Sequence, residues 1–199
     1  MIEYIEKEHI YLNSKGIQIP SVSELIQFEF GDVYKDVPVA ILKNKARLGT
    51  QLHAAIEDYE NKTFTENELA KKITYPNTKD LFQRYIDIKK DKGFQVAQTE
   101  QMVDWQERYG GRYDILTTDN DLIDIKTTYT LHRDRVALQL GLYYMALGIE
   151  KEKGYCMWLP LKQKGGLMEI CVWSWTRCED LVERYEEHNS KNQRMLCEW

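Results

Sequence analysis

Gly111-Arg112-Tyr113-Asp114-Ile115-Leu116, followed after a polar gap by Leu122-Ile123-Asp124-Ile125-Lys126-Thr127, is the stretch on which the reading of this chain turns. Both runs are apolar, β-branched and short, and read as strands. Residues two apart on a strand share a face, so Asp124 and Lys126 project together from an apolar segment. Burying either charge unpaired is costly, so the pair needs a reason. For Asp114 to join them, the two strands must pair in an even register. A three-residue connection, Asp119-Asn120-Asp121, pairs Thr118 with Leu122 and sets Asp114 opposite Lys126. A two-residue turn at Asp119-Asn120 would send Asp124 to the other face. An odd loop or a bulge is therefore expected.

The Asp-x-Lys pattern is weak by itself, since a chain of this length holds roughly one by chance. Ile86-Asp87-Ile88-Lys89 repeats it letter for letter. That copy lies in a helical stripe with Leu81, Phe82 and Tyr85, where Asp87 and Lys89 diverge by about 200° around the axis. Only the strand copy can form a site.

Working outward, residues 94–104, 110–118 and 121–128 read as strands. A helix over 134–147 follows, stopped by Gly148, and then strands at 153–160 and 167–175. Upstream, the turn Asn13-Ser14-Lys15-Gly16 separates hairpin strands near 2–12 and 17–19. Ser21 and Glu24 form a capping box for a short helix to about Phe28. Pro38 suits the first position of a helix to about Asn61, with a stripe of Leu42, Ala46, Gly49, His53 and Ile56. Thr65 and Glu68 form another capping box. Asn77 or Thr78 starts a helix that ends near Gly93. Thr176 and Glu179 cap the last helix. The expected fold is α/β: a mixed central sheet flanked by helices, with an N-terminal hairpin and a helical insertion. One domain over 1–199 is expected, with hairpin and helices in 1–93, a sheet core in 94–175 and a final helix in 176–199.

Composition bounds the function. The 199 residues are 43% hydrophobic and 30% charged, which excludes a disordered chain. No apolar run has membrane-spanning length, and the first residues lack a secretory pattern. Four scattered cysteines, Cys156, Cys171, Cys178 and Cys197, read as reduced thiols. A cytoplasmic protein is expected. The net charge of −5 argues against coating nucleic acid through bulk charge, though not against a local basic groove.

Grouped carboxylates can hold Mg²⁺ or Mn²⁺ while leaving positions for water and a substrate phosphate. Such an ion lowers the pKa of its water, and a nearby Lys orients that water and adds positive charge at the phosphate. Those parts make a phosphodiesterase. The competing reading of Asp114, Asp124 and Lys126 is a structural ion pair on a sheet.

Taken with their neighbours, these residues resemble the PD-(D/E)XK nuclease superfamily, near the RecB-like and phage lambda-exonuclease-like enzymes. Gly49-Thr50-Gln51-Leu52-His53 resembles the helix that brings a metal-ligating His. Glu100 lies on the strand before the core pair. Gly111-Arg112-Tyr113-Asp114 looks like the G-x-x-D motif and Asp124-Ile125-Lys126-Thr127 like D-x-K-T. Gln139-Leu140-Gly141-Leu142-Tyr143 is similar to the Q-x-x-x-Y helix. His9-Ile10-Tyr11 and Pro20-Ser21-Val22-Ser23 resemble the start of phage-borne members.

The resemblance implies a restriction-endonuclease-like core. By its pattern His53, Asp114, Asp124 and the Ile125 carbonyl bind metal. Lys126 is catalytic with Asp124, Asp114 and Glu100. Gln139, Tyr143 and Arg112 bind substrate. The implied function is a Mg²⁺- or Mn²⁺-dependent DNA exonuclease of phage or mobile-element recombination or repair. DNA is its partner, a single-strand annealing or single-strand-binding protein a further one, and a homo-oligomer is possible. For a phage-encoded chain the compartment is the host cytoplasm. Two alternatives stay open: a non-catalytic nuclease-fold subunit that binds DNA or a partner, and an endonuclease or RNA-directed enzyme. Iron–sulfur members carry an early Cys and a tight C-terminal Cys cluster; here the spacing differs and no cluster is expected.

Some residues read two ways. Arg133 and Arg135 are either phosphate contacts or solvated charges. Trp173 and Trp175 share a strand face, suited to core packing or to base stacking. His132 and His188 read as ordinary surface or core histidines. Gly110-Gly111 lacks the P-loop and Rossmann patterns.

Overall fold

The structure is a computed structural model that describes residues 2–6, 8, 10–75 and 77–196. His9 and Cys197, named above, lie outside the described residues.

The N-terminal segment forms three short antiparallel strands, β1 (Glu3–Ile5), β2 (Ile10–Leu12) and β3 (Gln18–Ile19). The single strand expected near 2–12 instead folds back on itself, with Glu8 donating its N–H to the Ile5 carbonyl. Pro20 accepts the Gly110 N–H at 3.0 Å, which ties this small sheet to the large one. Helix α1 (Val22–Phe30) begins as its capping box requires: Ser21 Oγ accepts the Glu24 N–H, and Glu24 accepts the Ser21 N–H.

Helix α2 (Val39–Glu60) starts one residue later than expected, so Pro38 is its N-cap. Its core face is Leu48, Leu52, Ala55 and Ile56. The stripe of Leu42, Ala46, Gly49 and His53 is offset from that face, half-buried except for the exposed Ala46, and its Gly49 and His53 line the site. Small residues there served a neighbouring cleft rather than the core, which periodicity alone does not distinguish. Helix α3 (Glu66–Lys72) carries the expected Thr65–Glu68 capping box. Helix α4 (Thr78–Lys92) ends at left-handed Gly93 (φ 72°). In α4, Asp87 and Lys89 diverge as anticipated: Asp87 accepts from Gln83, while Lys89 pairs with Glu60 at 2.5 Å.

The large sheet runs β4 (Val96–Trp105), β5 (Tyr109–Thr117), β6 (Leu122–Lys126), β7 (Lys153–Trp158) and β8 (Gly166–Cys171) in that spatial order. Neighbours are antiparallel except β6 and β7, which are parallel. Helix α5 (Arg133–Leu147) supplies the crossover that a parallel pair needs. Helix α6 (Trp175–Leu196) closes the chain.

Alternation assigns the two faces. Leu116, Leu122 and Cys156 pack with α1, α5 and α6. Ile115, Ile123, Ile125 and Met157 pack with α2, α3 and α4. Both faces are covered, so β6 is buried almost throughout. The chain is thus a mixed α/β fold with a five-stranded mixed sheet between helices. Among the described residues, no helix is long and apolar enough to cross a membrane.

Two expectations fail at the last strand. Trp173 and Trp175 do not share a strand face, because β8 ends at Cys171. Trp173 donates its N–H to the Ala137 carbonyl and buries its ring, whereas Trp175 opens α6, 38% exposed. Ser174, not Thr176, caps that helix by accepting the Arg177 N–H.

Candidate metal centre

The β5–β6 connection sets the site's geometry. Ile115 pairs with Ile123, Leu116 with Leu122, and Thr117 donates its N–H to the Asp121 carbonyl. The loop is therefore Thr118-Asp119-Asn120, three residues as parity demands but two places away from the expected register. Asp114 accordingly faces Asp124 rather than Lys126. Asn120 closes the loop with a left-handed backbone (φ 60°), which Asn tolerates, and Thr117 Oγ1 accepts the Asp121 N–H. Glu100 falls opposite Asp114, between the pairs Thr99–Ile115 and Gln101–Tyr113. Three carboxylates thus form a row across three strands, and the parallel register continues it to Cys156 beside Asp124.

Each acid is held differently. Glu100 sits at a positive φ of 50°, a conformation that costs a non-glycine residue roughly 1–3 kcal/mol. Its Oε1 is 3.0 Å from His53 Nδ1 and its Oε2 3.0 Å from Arg112 Nε. Asp114 Oδ1 lies 3.5 Å from the same His53 nitrogen, while its Oδ2 accepts the Ile125 N–H at 2.6 Å. Ile125 therefore engages the site through its N–H, donated to a side chain where β5 and β6 diverge. Asp124, 2% exposed, accepts from Lys126 Nζ at 2.8 Å through Oδ1. Its Oδ2 is buried without a hydrogen-bond partner. Lys126 Nζ also donates to Gln139 Oε1 at 3.0 Å, and Tyr143 donates its hydroxyl to the Arg112 carbonyl at 2.8 Å. Gly111 lets Tyr143 and Val22 approach; a Cβ there would lie 2.7 Å from the Tyr143 ring.

The electrostatics follow from that packing. Burial pushes the Asp124 carboxyl up to about 6 against the pull of Lys126, and Asp114 adds to the rise. Burial also raises Asp114, with His53 and Lys126 opposing. His53 would be depressed by burial, but Asp114 and Glu100 outweigh it and hold the imidazole up to about 9. Lys126 is raised, because Asp124 and Asp114 outweigh its burial. A protonated His53 therefore stands where an external cation could stand.

His53, Glu100 and Asp114 bring ligand atoms within 4.8 Å of one another. A hard divalent ion favours such oxygen donors, and the unpartnered Asp124 oxygen marks a carboxylate whose protein neighbours leave it incomplete. The residues present fit such an ion. The grouping differs from the expected ligand set: Glu100 joins His53 and Asp114, Asp124 stands alongside, tied to Lys126, and Ile125 meets Asp114 through its N–H.

The centre lies in a wall between two depressions. One, of about 300 Å³, has Lys126 and Gln139 in its lining along with His132 and Arg135. The other, of about 310 Å³, is lined by His53, Glu100, Arg112 and Glu57. Glu57 was missed in the sequence. It follows His53 by four residues on α2, so both point one way. Burial and Glu100 raise its pKa. The His-x-x-x-Glu spacing was the available signal. Of the other arginines, Arg133 donates to the Glu169 carbonyl and Arg135 to the Gly31 carbonyl. His188 packs against Phe28.

No family model and no curated protein matches the chain. Among solved structures, that of SSO0001 aligns over 81% of this chain and 81% of its own at 13% identity, with a TM-score of 0.38. A likeness that slight carries no argument about fold or function.

Proposed function

We propose that the chain is a Mg²⁺- or Mn²⁺-dependent deoxyribonuclease that hydrolyses phosphodiester bonds from DNA ends. The observation that carries this reading is the convergence of Asp114, Asp124 and Lys126 with His53 and Glu100 where β5 and β6 part, beside an open cleft. The motif order resembling PD-(D/E)XK exonucleases supports DNA as substrate. It also supports a setting in phage or mobile-element recombination, in the cytoplasm, with a single-strand annealing or binding protein nearby.

Glu100, Asp114 and His53, once its imidazole gives up its proton, would hold the ion, with Asp124 alongside. Bound there, the cation would act as a Lewis acid on the phosphate and acidify a water. Lys126 is the chain's own contribution to attack. Its ammonium is fixed between Asp124 and Gln139, where it can orient a water and balance charge on a phosphate oxygen. Gln139 keeps that ammonium in place. Tyr143 holds the Arg112 backbone, and the exposed Arg112 guanidinium is available to a neighbouring phosphate.

The test uses end-labelled linear and closed circular DNA with Mg²⁺ or Mn²⁺. Linear DNA should be degraded and circles spared, and Asp124→Ala or Lys126→Ala should cost at least 100-fold, on the order of the loss of a general catalytic group. Equal activity of all three proteins rejects the assignment. Cleaved circles would point instead to an endonuclease.

The Lys126–Asp124 contact also suits a subunit that binds DNA without cutting it. Calorimetry with Mn²⁺ separates the two. Cation binding lost in Asp114→Ala favours the enzyme, and DNA binding indifferent to cation and to Asp124 favours the binding module.

A further inference from the structure

We infer that the cleft beside Lys126 takes one unstacked nucleotide of a single-stranded DNA end, with its base laid on Tyr34. This deepens, and rests on, the nuclease reading of the same site.

The cleft's lining divides by chemistry. Lys126, His132 and Arg135 bring positive or protonatable groups, suited to a phosphate. Ile26, Leu131 and Val136 give an apolar surface, and Tyr34 adds an aromatic ring that is 40% exposed. An aromatic face with an apolar surface and cations beside it is what a single nucleotide demands, since every base has a face that can stack.

The Tyr34 backbone is fixed in advance. α1 ends at left-handed Gly31, whose carbonyl accepts from Arg135 at 3.0 Å. Asp32 Oδ1 then accepts the Tyr34 N–H at 2.8 Å, and Tyr34 accepts the Val37 N–H at 2.9 Å. The acidic group in the lining thereby serves the loop. A ring carried on an anchored turn loses little freedom on binding.

Size and shape select the strand. About 300 Å³ lies at the small end of ligand pockets, and a concave site of that size admits one extruded base but no stretch of paired duplex. Lys126 and Gln139 belong to both this lining and the metal centre, so a nucleotide held here presents its phosphate to the proposed chemistry.

The test is fluorescence anisotropy with labelled oligo(dT) and a blunt duplex of equal length, in EDTA so that nothing is cut. Oligo(dT) should bind more tightly than duplex. Tyr34→Ala should weaken oligo(dT) binding about 5- to 150-fold, the range for one lost stack. Tyr34→Phe should restore it and Tyr34→Leu should not, which separates stacking from simple packing. Tyr34→Ala within twofold of wild type, or duplex bound as tightly as the single strand, overturns the inference. Because no catalysis is read, those results leave the nuclease reading standing. That reading fails separately, if Asp124→Ala and Lys126→Ala retain full hydrolysis.

Discussion

Replacing Asp124 with Asn should stabilise the cation-free protein while weakening its response to divalent ions. The carboxylate is buried, faces Asp114 across the strands and leaves one oxygen unpartnered. Its pKa rises from an ordinary 3.8 to about 6. At about 1.4 kcal/mol per tenfold change in proton affinity, holding it ionised above pH 7 costs the fold on the order of 3 kcal/mol. An amide keeps the shape and an oxygen for Lys126 but removes the charge, while Lys126 loses some attraction. The expected net gain is about 1–3 kcal/mol, or roughly 2–12 °C in melting midpoint for a chain of this size. Calorimetry at pH 8 in EDTA measures it. Excess Mn²⁺ should then raise the wild-type midpoint, by about 2.7 kcal/mol of stability at a hundredfold over Kd, and raise that of Asp124→Asn by less. A midpoint that falls in EDTA would show that the Lys126 pairing outweighs burial, and the reasoning fails.

The cation-free midpoint should also decline from pH 6 to pH 9.5. His53 contributes stability that is fully present below 6.5 and lost as pH rises through about 9, whereas Asp124 adds its cost between about 3.8 and 6, below that interval. A midpoint that climbs from pH 6 to pH 9.5 in EDTA would contradict the sign for His53. Gly141→Ala should destabilise by about 1–3 kcal/mol in urea titration, since its Cβ would lie 2.7 Å from the Trp173 carbonyl oxygen and 3.0 Å from Cys178 Sγ; an unchanged urea midpoint refutes that packing. Asn120→Val should cost about 1–2 kcal/mol at its left-handed position while Asn120→Gly stays near neutral, and equal losses in both would mean the loop's conformation is not what matters.

Local signals carried well where the physics is local. The capping boxes at Ser21 and Thr65, and the left-handed stops at Gly93 and Gly148, lie where side-chain chemistry and backbone sterics require them. Parity likewise made an odd β5–β6 loop legible, because both acids had to share a face. What parity cannot fix is a slide of two residues, and the choice fell to Thr117 and Asn120, which close the three-residue loop one position earlier. The grouping of Glu100 with His53 was harder to read. It depends on a left-handed residue in the middle of a strand and on which side of α2 faces the cleft, both set by distant packing. The Tyr34 wall of the cleft beside Lys126 lay further still from any sequence pattern, since it joins segments some hundred residues apart.

The Ile125 amide proton answers to a side chain, not to a neighbouring strand. Its exchange with solvent deuterium therefore reports on one carboxylate. Anything that draws Asp114 away or protonates it should unlatch that single amide while Ile123, bonded within the ladder, stays protected. The backbone carries a built-in gauge of the acid's state, readable by NMR without turnover, label or substrate.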